Sequence, residues 1–200
     1  IRILALYPIS GPVKTVAEEW LLGMKYAGEE VNAQGGLLGR KVELIIEDSQ
    51  LKPDVAVAKA QKYLLKGDLD IVVGTVSNIV KALQDLTKQH NILFVMFSGA
   101  DEETRKNFTY NSVRLWWDTA MSARATVAYI AKYTQLTKLY LINQDYSYGR
   151  DFATGIKRDV ARLMPRAQII GDDYHPFASK DLSPFLTKIK ASGAETIITS

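Results

Sequence analysis

The sequence contains no cysteine and no long hydrophobic run, and these two absences exclude several classes of protein. Without cysteine among its 200 residues, the chain has no disulfide, no thiol nucleophile and no cysteine-ligated metal. No stretch approaches the roughly 20 consecutive apolar residues of a membrane-spanning helix, so we expect no direct insertion into a membrane. The first apolar run, at residues 1–7, is too short for a signal peptide and is typical of the first strand of a mature domain.

The sequence also lacks a large excess of charge of either sign. The chain has 25 basic and 22 acidic residues and a net charge of +3, with no block of lysine or arginine. Proteins that bind nucleic acids need such a block, so the sequence predicts no nucleic-acid partner. The two histidines, His90 and His175, lack the neighbouring ligands of a metal motif, and we expect plain surface or loop roles for them and no metal site.

The phosphate-binding and nucleophile motifs of α/β enzymes are absent as well. After the first predicted strand only Gly11 is present, where a dinucleotide-binding loop needs Gly-x-Gly-x-x-Gly. Neither a phosphate loop nor a Gly-x-Ser-x-Gly elbow occurs. The sequence therefore predicts no cofactor and no enzymatic activity, and a turn or cap role for Asp48 at the end of the second strand.

What the sequence does contain is a nearly unbroken alternation of strand and helix patterns. Continuous apolar strands separated by helices predict an α/β protein with parallel sheets covered on both faces. The pattern forms two sets that break near residues 115–118, which predicts two doubly wound lobes, 1–116 and 117–200. The second set ends on a strand with nothing to cover it, so we expect an incomplete second lobe in the N-terminal part of a longer protein.

Ligands of open α/β sheets bind beyond the carboxyl ends of the strands, and small polar residues follow two strand ends of the first set. Ser77 and Asn78 come where a helix begins after the third strand, a place suited to a carboxylate or another polar head group. An equally good interpretation makes either residue a simple N-cap. After the fourth strand, Ser98 has two small neighbours, Gly99 and Ala100, which leave room for close approach of a ligand to the backbone.

Aromatic residues mark the junction and the second set. Tyr146 and Tyr148 follow the first strand of the second set, where a tyrosine ring can stack on an apolar ligand and still offer its hydroxyl. Surface packing is the alternative role. Trp116 and Trp117 lie at the junction, where they either cover a ligand or pack between lobes, with Asp118 as the cap of the next helix.

These motifs together resemble the Leu/Ile/Val-binding-protein family, the type I periplasmic solute-binding proteins of ABC importers. The resemblance extends over all 200 residues. It rests on "SGP" at 10–12, "VNAQGGLLGRKVELIIED" at 31–48, "DIVVG" at 70–74, "ILFVMFSGA" at 92–100, "VR" at 113–114 and "DYSYG" at 145–149. In the second of these segments the glycines lead from the first helix to the second strand, so we interpret it as a mark of the fold rather than of the site.

The resemblance implies a function and a set of site residues. A small solute, either an amino acid, an amide or an aromatic or organic carboxylate, is expected in an interlobe cleft and is delivered to the membrane subunits of an importer. Localisation is expected to be periplasmic or extracytoplasmic, after removal of a signal peptide. A sensor or receptor domain of the same fold remains the alternative, and a nucleotide-dependent enzyme has no motif to support it.

Only some of the family's ligand-binding positions have a matching residue in this sequence. Ser77 and Asn78 match its hydroxyl-rich carboxylate turn, and Tyr148 matches the tyrosine of its Asp-x-x-Tyr-Gly segment. Ala100 departs from the threonine or serine that amino-acid binders usually carry, and Val16 stands near the position of their aromatic residue. The predicted ligand-binding residues are Ser77, Asn78, Ser98, Gly99, Ala100, Trp117, Tyr146 and Tyr148.

Overall fold

The computed structural model describes residues 1–177 and 179–200, and in it the chain forms two compact units. Unit 1 consists of residues 1–98 and 102–116, and unit 2 of residues 99–101 and 117–200. No helix within the described residues is both long enough and apolar enough to cross a membrane.

Unit 1 is built on a five-stranded parallel sheet. Its elements in chain order are β1 (Arg2–Tyr7), α1 (Lys14–Ala33), β2 (Glu43–Asp48), α2 (Pro53–Leu64), β3 (Ile71–Thr75), α3 (Ser77–Gln89), β4 (Leu93–Phe97) and β5 (Ser112–Arg114). The strand order is β2-β1-β3-β4-β5, and every pair is parallel. One turn of 3-10 helix, Asp101–Glu103, lies between β4 and β5.

Both faces of this sheet carry helices. On one face, α2 and α3 pack on β1, β3 and β4 through a fully apolar core that includes Leu4, Leu83 and Phe94. On the other face, α1 packs through Ala17 and Leu21. Because each strand contributes side chains to both layers, the strands are apolar at successive positions rather than at alternate ones.

Unit 2 repeats the arrangement on a three-stranded parallel sheet. Its elements are α4 (Thr119–Tyr133), β6 (Lys138–Gln144), α5 (Ser147–Leu163), β7 (Gln168–His175), α6 (Ser183–Ser192) and β8 (Thr196–Ile198), with the order β7-β6-β8. Helices α4 and α5 cover one face and α6 covers the other. The predicted fold class, two doubly wound parallel-sheet lobes, is confirmed.

Residues 99–101 belong to unit 2 although they follow β4 of unit 1. The N–H of Thr119 donates to the carbonyl of Gly99 over 2.7 Å, and the N–H of Asp101 donates to Thr119 Oγ1 over 3.1 Å. These bonds tie the three residues to the start of α4. The division predicted at residue 116 assigns them to the first lobe, whereas the structure groups them with the second.

The glycine-rich stretch joins α1 to β2, as the sequence predicts. The side-chain amide of Asn32 exchanges two hydrogen bonds with the backbone of Val42, at 2.8 and 2.7 Å, and so fixes the end of α1 against the start of β2. Gly36 has φ +82°, and a Cβ there would lie 2.1 Å from the carbonyl oxygen of Arg40. Only glycine fits that position, for a reason of chain path rather than ligand binding.

Candidate functional site

Two serines lie at the same edge of the unit 1 sheet. Ser77 follows β3 and Ser98 follows β4, and these strands are paired in parallel up to Thr75 and Phe97. Both serines are nearly buried, with 2% and 5% of their surface exposed, whereas Asn78 is exposed. The structure therefore brings together the two hydroxyl-bearing turns that the sequence assigns to ligand binding in this unit.

Neither Ser77 nor Asn78 is the N-cap of α3, so that alternative interpretation is wrong. Val76 holds the N-cap position, with φ 66° and ψ 124° and no side-chain cap. A β-branched residue rarely adopts positive φ, and strained backbone of this kind occurs at turns that packing holds in place. Its effect is to place Ser77 as the first helical residue, at the positive end of the helix dipole.

Ser98 is hydrogen-bonded to a buried ion pair. Ser98 Oγ donates to Glu103 Oε2 over 2.6 Å, and Arg114 Nη2 lies 3.3 Å from the same oxygen. The side chain of Glu103 is fully buried and that of Arg114 is 7% exposed. Sequence reasoning missed both residues as part of the site. The available signal was a single arginine in a short strand that follows an acidic loop.

The first loop of unit 1 is held by Asp48, which confirms its predicted turn role. Asp48 Oδ1 accepts the N–H of Ile9 over 3.1 Å and that of Gln50 over 2.8 Å. Burial by itself raises the pKa of this carboxyl, but hydrogen bonds from the Ser10 hydroxyl and the two backbone donors outweigh burial and leave the pKa below its ordinary value. The carboxylate is therefore ionised at neutral pH and shapes the loop after β1.

In unit 2 the predicted residues Gly99, Trp117 and Tyr148 lie together. A Cβ on Gly99 would lie 2.5 Å from Cε2 of Tyr148 and 3.3 Å from the carbonyl oxygen of Trp117. The space that a glycine leaves at this turn is therefore occupied by the tyrosine ring. Ala100, the next predicted residue, is fully buried, and Trp117 is half-exposed.

The half-buried tyrosines of unit 2 belong to a larger group of aromatic rings. Tyr146 and Tyr148 stack with ring centroids 6.1 Å apart, and Tyr148 lies parallel to Phe152 at 6.5 Å. Phe177 meets Tyr146 edge-to-face at 4.7 Å. Sequence reasoning missed Phe152, which lies one turn after Tyr148 in α5, and Phe177, which follows β7. This cluster presents ring faces and phenolic hydroxyls at the carboxyl end of β6.

Gly149 fixes the start of α5, and Asp118 fixes the start of α4. A Cβ on Gly149 would lie 2.1 Å from the carbonyl oxygen of Gln144, so glycine lets the start of α5 approach the end of β6. Asp118 Oδ1 accepts the N–H of Met121 over 2.7 Å, which confirms its predicted role as the cap of α4.

In unit 1, Trp116 packs edge-to-face on Trp20.

The chemistry available at these strand ends is that of recognition. It consists of serine hydroxyls and a helix N-terminus in unit 1, and of aromatic faces and phenols in unit 2. Among the described residues there is no group of three or more histidine, aspartate or glutamate side chains that could hold a metal ion.

Comparison with known proteins gives a family match over the whole chain. The sequence profile of the family described as "Periplasmic binding protein" matches residues 1–200. A curated relative, the Leu/Ile/Val-binding protein BraC3 of Rhizobium johnstonii, is 24% identical over 197 residues, which are 98% of this chain and 53% of the relative. The chain thus spans about half the length of the curated relatives it matches.

Solved structures share the fold. A periplasmic binding protein from Burkholderia mallei superposes with a TM-score of 0.91 at 23% identity, over all of this chain and 52% of its own. A solute-binding protein of an ABC transporter from R. palustris, in complex with benzoate, gives 0.89 at 22% identity, over all of this chain and 54% of its own. The chain belongs to the periplasmic binding protein family.

Proposed function

We propose that this chain forms the ligand-capturing part of an extracytoplasmic solute-binding protein that delivers a small carboxylate or amino acid to an ABC importer. The observation that carries the proposal is that each unit has a recognition surface at its strand ends. Hydroxyl groups and a helix N-terminus follow β3 and β4, and an aromatic cluster follows β6. In the proposal one ligand contacts both surfaces.

The unit 1 surface suits the polar head of a ligand. Ser77 begins α3, so backbone N–H groups and the positive end of the helix dipole favour an anion there. The near-complete burial of Ser77 supports a desolvated contact, in which a hydrogen bond to a charged group contributes about 1.5–3 kcal/mol.

The unit 2 surface suits an apolar ligand body. Tyr148 is half-buried, packs on the Cα of Gly99 and stacks with Tyr146, so its ring is held in place before any ligand arrives. A rigid aromatic side chain contributes contact area with little loss of conformational entropy.

Two of the proteins compared support the same ligand chemistry. The Rhizobium relative is named for leucine, isoleucine and valine, and the R. palustris structure holds benzoate. These ligands differ in shape, but each joins a carboxylate to an apolar body. A small carboxylate of this type is therefore the proposed ligand class, and import is the proposed purpose of binding.

A thermal-shift screen of the intact protein tests the proposal. The panel contains aliphatic amino acids, their amides, benzoates and short organic acids, with NAD and ATP as probes for the enzyme alternative. A ligand present at 100 times its dissociation constant stabilises the folded protein by about 2.7 kcal/mol, which raises the melting temperature measurably. A shift with a carboxylate supports the proposal; shifts with NAD or ATP alone would overturn it.

A further inference from the structure

A polar cavity lies in unit 1 between one face of α3 and the segment that precedes β5. Its volume is about 280 Å³, close to the lower limit of about 300 Å³ for small-molecule pockets. The residues that line it are Lys81, Gln84, Asp85, Lys88, Lys106, Asn107, Phe108 and Thr109. The function proposed above uses none of these side chains.

The position of this cavity separates it from the candidate site. Its α3 residues, at 81, 84, 85 and 88, share one face of the helix, because residues three and four apart are neighbours. Lys88 comes eleven residues after Ser77, which at 1.5 Å per residue is about 16 Å further along the helix. The cavity therefore lies toward the amino ends of β4 and β5, whereas Ser77 and Ser98 follow the carboxyl ends of β3 and β4.

The charges of the cavity favour an anion. Three lysines and one aspartate line it, which gives the lining a net charge of +2. Lys81 is already paired with Glu102 over 3.0 Å, but Lys88 and Lys106 come from two separate segments and reach the same cavity. A phosphate ester carries a charge of about −1.5 to −2 at neutral pH and has three acceptor oxygens, so it can bind two ammonium groups at once.

Gln84 provides an acceptor in the wall of the cavity. Its side chain is 2% exposed, and its Nε2 donates to the carbonyls of Glu103 and Asn107 over 2.9 and 3.2 Å, which fixes the orientation of the amide. Gln84 Oε1 is buried and has no hydrogen-bond partner within the residues that the structure describes. Buried acceptors of this kind are uncommon, and a hydroxyl group is a neutral donor that suits one. The side-chain oxygens of Asp85 are further acceptors for hydroxyl groups.

Phe108 adds an aromatic surface to the same cavity. It lines the cavity, and 61% of its surface is exposed. An exposed ring offers a flat apolar face on which the C–H groups of a sugar ring can pack. The cavity thus combines ammonium groups, hydroxyl acceptors and an aromatic face.

We propose that this cavity is a binding site for a phosphorylated sugar, separate from the proposed solute site. The phosphate group binds Lys88 and Lys106, the hydroxyl groups donate to Gln84 and Asp85, and the sugar ring packs on Phe108. Each of the three kinds of lining group thereby meets one part of the ligand. This inference does not depend on the proposed function.

Calorimetric titration of the intact protein tests the ligand class. The probes are glucose 6-phosphate, glucose 1-phosphate and ribose 5-phosphate, with inorganic phosphate and glucose as the separate parts of the ligand. All titrations use the same ionic strength, because salt screens exposed charges. We expect at least one sugar phosphate to bind about tenfold more tightly than inorganic phosphate, and glucose to bind more weakly than either.

Two variants and a control test the location. The double variant Lys88→Gln/Lys106→Gln should weaken the sugar phosphate about tenfold or more, through loss of two donors to a charged group. Phe108→Leu should weaken it about twofold to tenfold and leave inorganic phosphate unchanged. Lys25→Gln/Lys41→Gln is the matched control, because it removes the same charge from exposed lysines of unit 1 outside the cavity. It should bind as the parent does.

Each of four results would overturn the inference. They are no binding of any of the three sugar phosphates, equal affinity for inorganic phosphate, equal affinity of the two double variants, and an unchanged affinity of Phe108→Leu. Equal affinity for inorganic phosphate would indicate an unspecific anion patch only. The carboxylates of the wider screen should bind the Lys88→Gln/Lys106→Gln protein as tightly as the parent, and a loss of their binding would contradict the separation of the two sites.

Discussion

Replacing Gly149 with alanine should destabilise the protein, although alanine is the better helix former. Gly149 is the third residue of α5, and in the interior of a helix alanine is favoured over glycine by about 1 kcal/mol. Here, however, the new Cβ would lie 2.1 Å from the carbonyl oxygen of Gln144 and 3.0 Å from its carbonyl carbon. Both are backbone atoms of β6, so the helix has to move by more than 1 Å to restore an ordinary contact. Overpacking of this kind costs about 1–3 kcal/mol beyond the helix gain.

Differential scanning calorimetry of the intact protein measures this effect. Unit 2 is in the size range where about 1 kcal/mol shifts the melting temperature by about 4–8 °C. Gly23→Ala is the matched control, since Gly23 lies inside α1 and nothing apart from its chain neighbours and its own helix backbone lies within 4 Å of its Cβ position. That variant should melt slightly above the parent, by about 0.5–1 kcal/mol of stability. A Gly149→Ala protein that melts at or above the parent would refute the steric argument.

Three further predictions concern stability. Asp118→Ala should cost about 1 kcal/mol in thermal unfolding, because it removes the acceptor of the Met121 N–H, whereas Asp118→Asn should cost little; equal losses would contradict the cap. Burial raises the pKa of Tyr7 from 10.0 to about 12, so the unfolded chain loses this proton first and stability should fall as pH rises from 10 toward 12. Denaturant unfolding of Tyr7→Phe over that window should fall less steeply than that of the parent, and identical slopes would count against the assignment. Arg114→Met should cost about 3–5 kcal/mol in the same unfolding assay, since it takes the guanidinium away from the buried Glu103 carboxylate; a loss below about 1 kcal/mol would be inconsistent with a buried pair.

The fold followed from local patterns in the sequence. Apolar strands with no polar alternation, separated by amphipathic helices, leave few arrangements other than parallel sheets with helices on both faces. Residue types also predicted individual local features, such as the helix cap at Asp118 and the glycine at position 36. Such features depend on residues within a few positions of each other, and this is the range that sequence patterns describe.

The contacts around the candidate site could be predicted only in part, because they join residues that are distant in the sequence. Which acid of the run 101–103 turns inward is decided by Arg114, eleven residues beyond Glu103, and no local pattern distinguishes the three. Tyr148 and Gly99 are 49 positions apart in the sequence, and their contact forms only when α5 packs in place. The positive φ of Val76 contradicts its own local preference and is imposed by the strand and helix on either side.

The central claim is that Ser77 and Tyr148 bind one small carboxylate ligand. Calorimetric titration of the tightest carboxylate from the screen, into the parent and into Ser77→Ala and Tyr148→Ala, tests it most directly. We expect Ser77→Ala to weaken binding by about 1.5–3 kcal/mol through loss of a donor to a charged group, and Tyr148→Ala by about 1–3 kcal/mol through loss of ring contact. If both variants bind the compound as tightly as the parent, the site lies elsewhere and the claim is wrong.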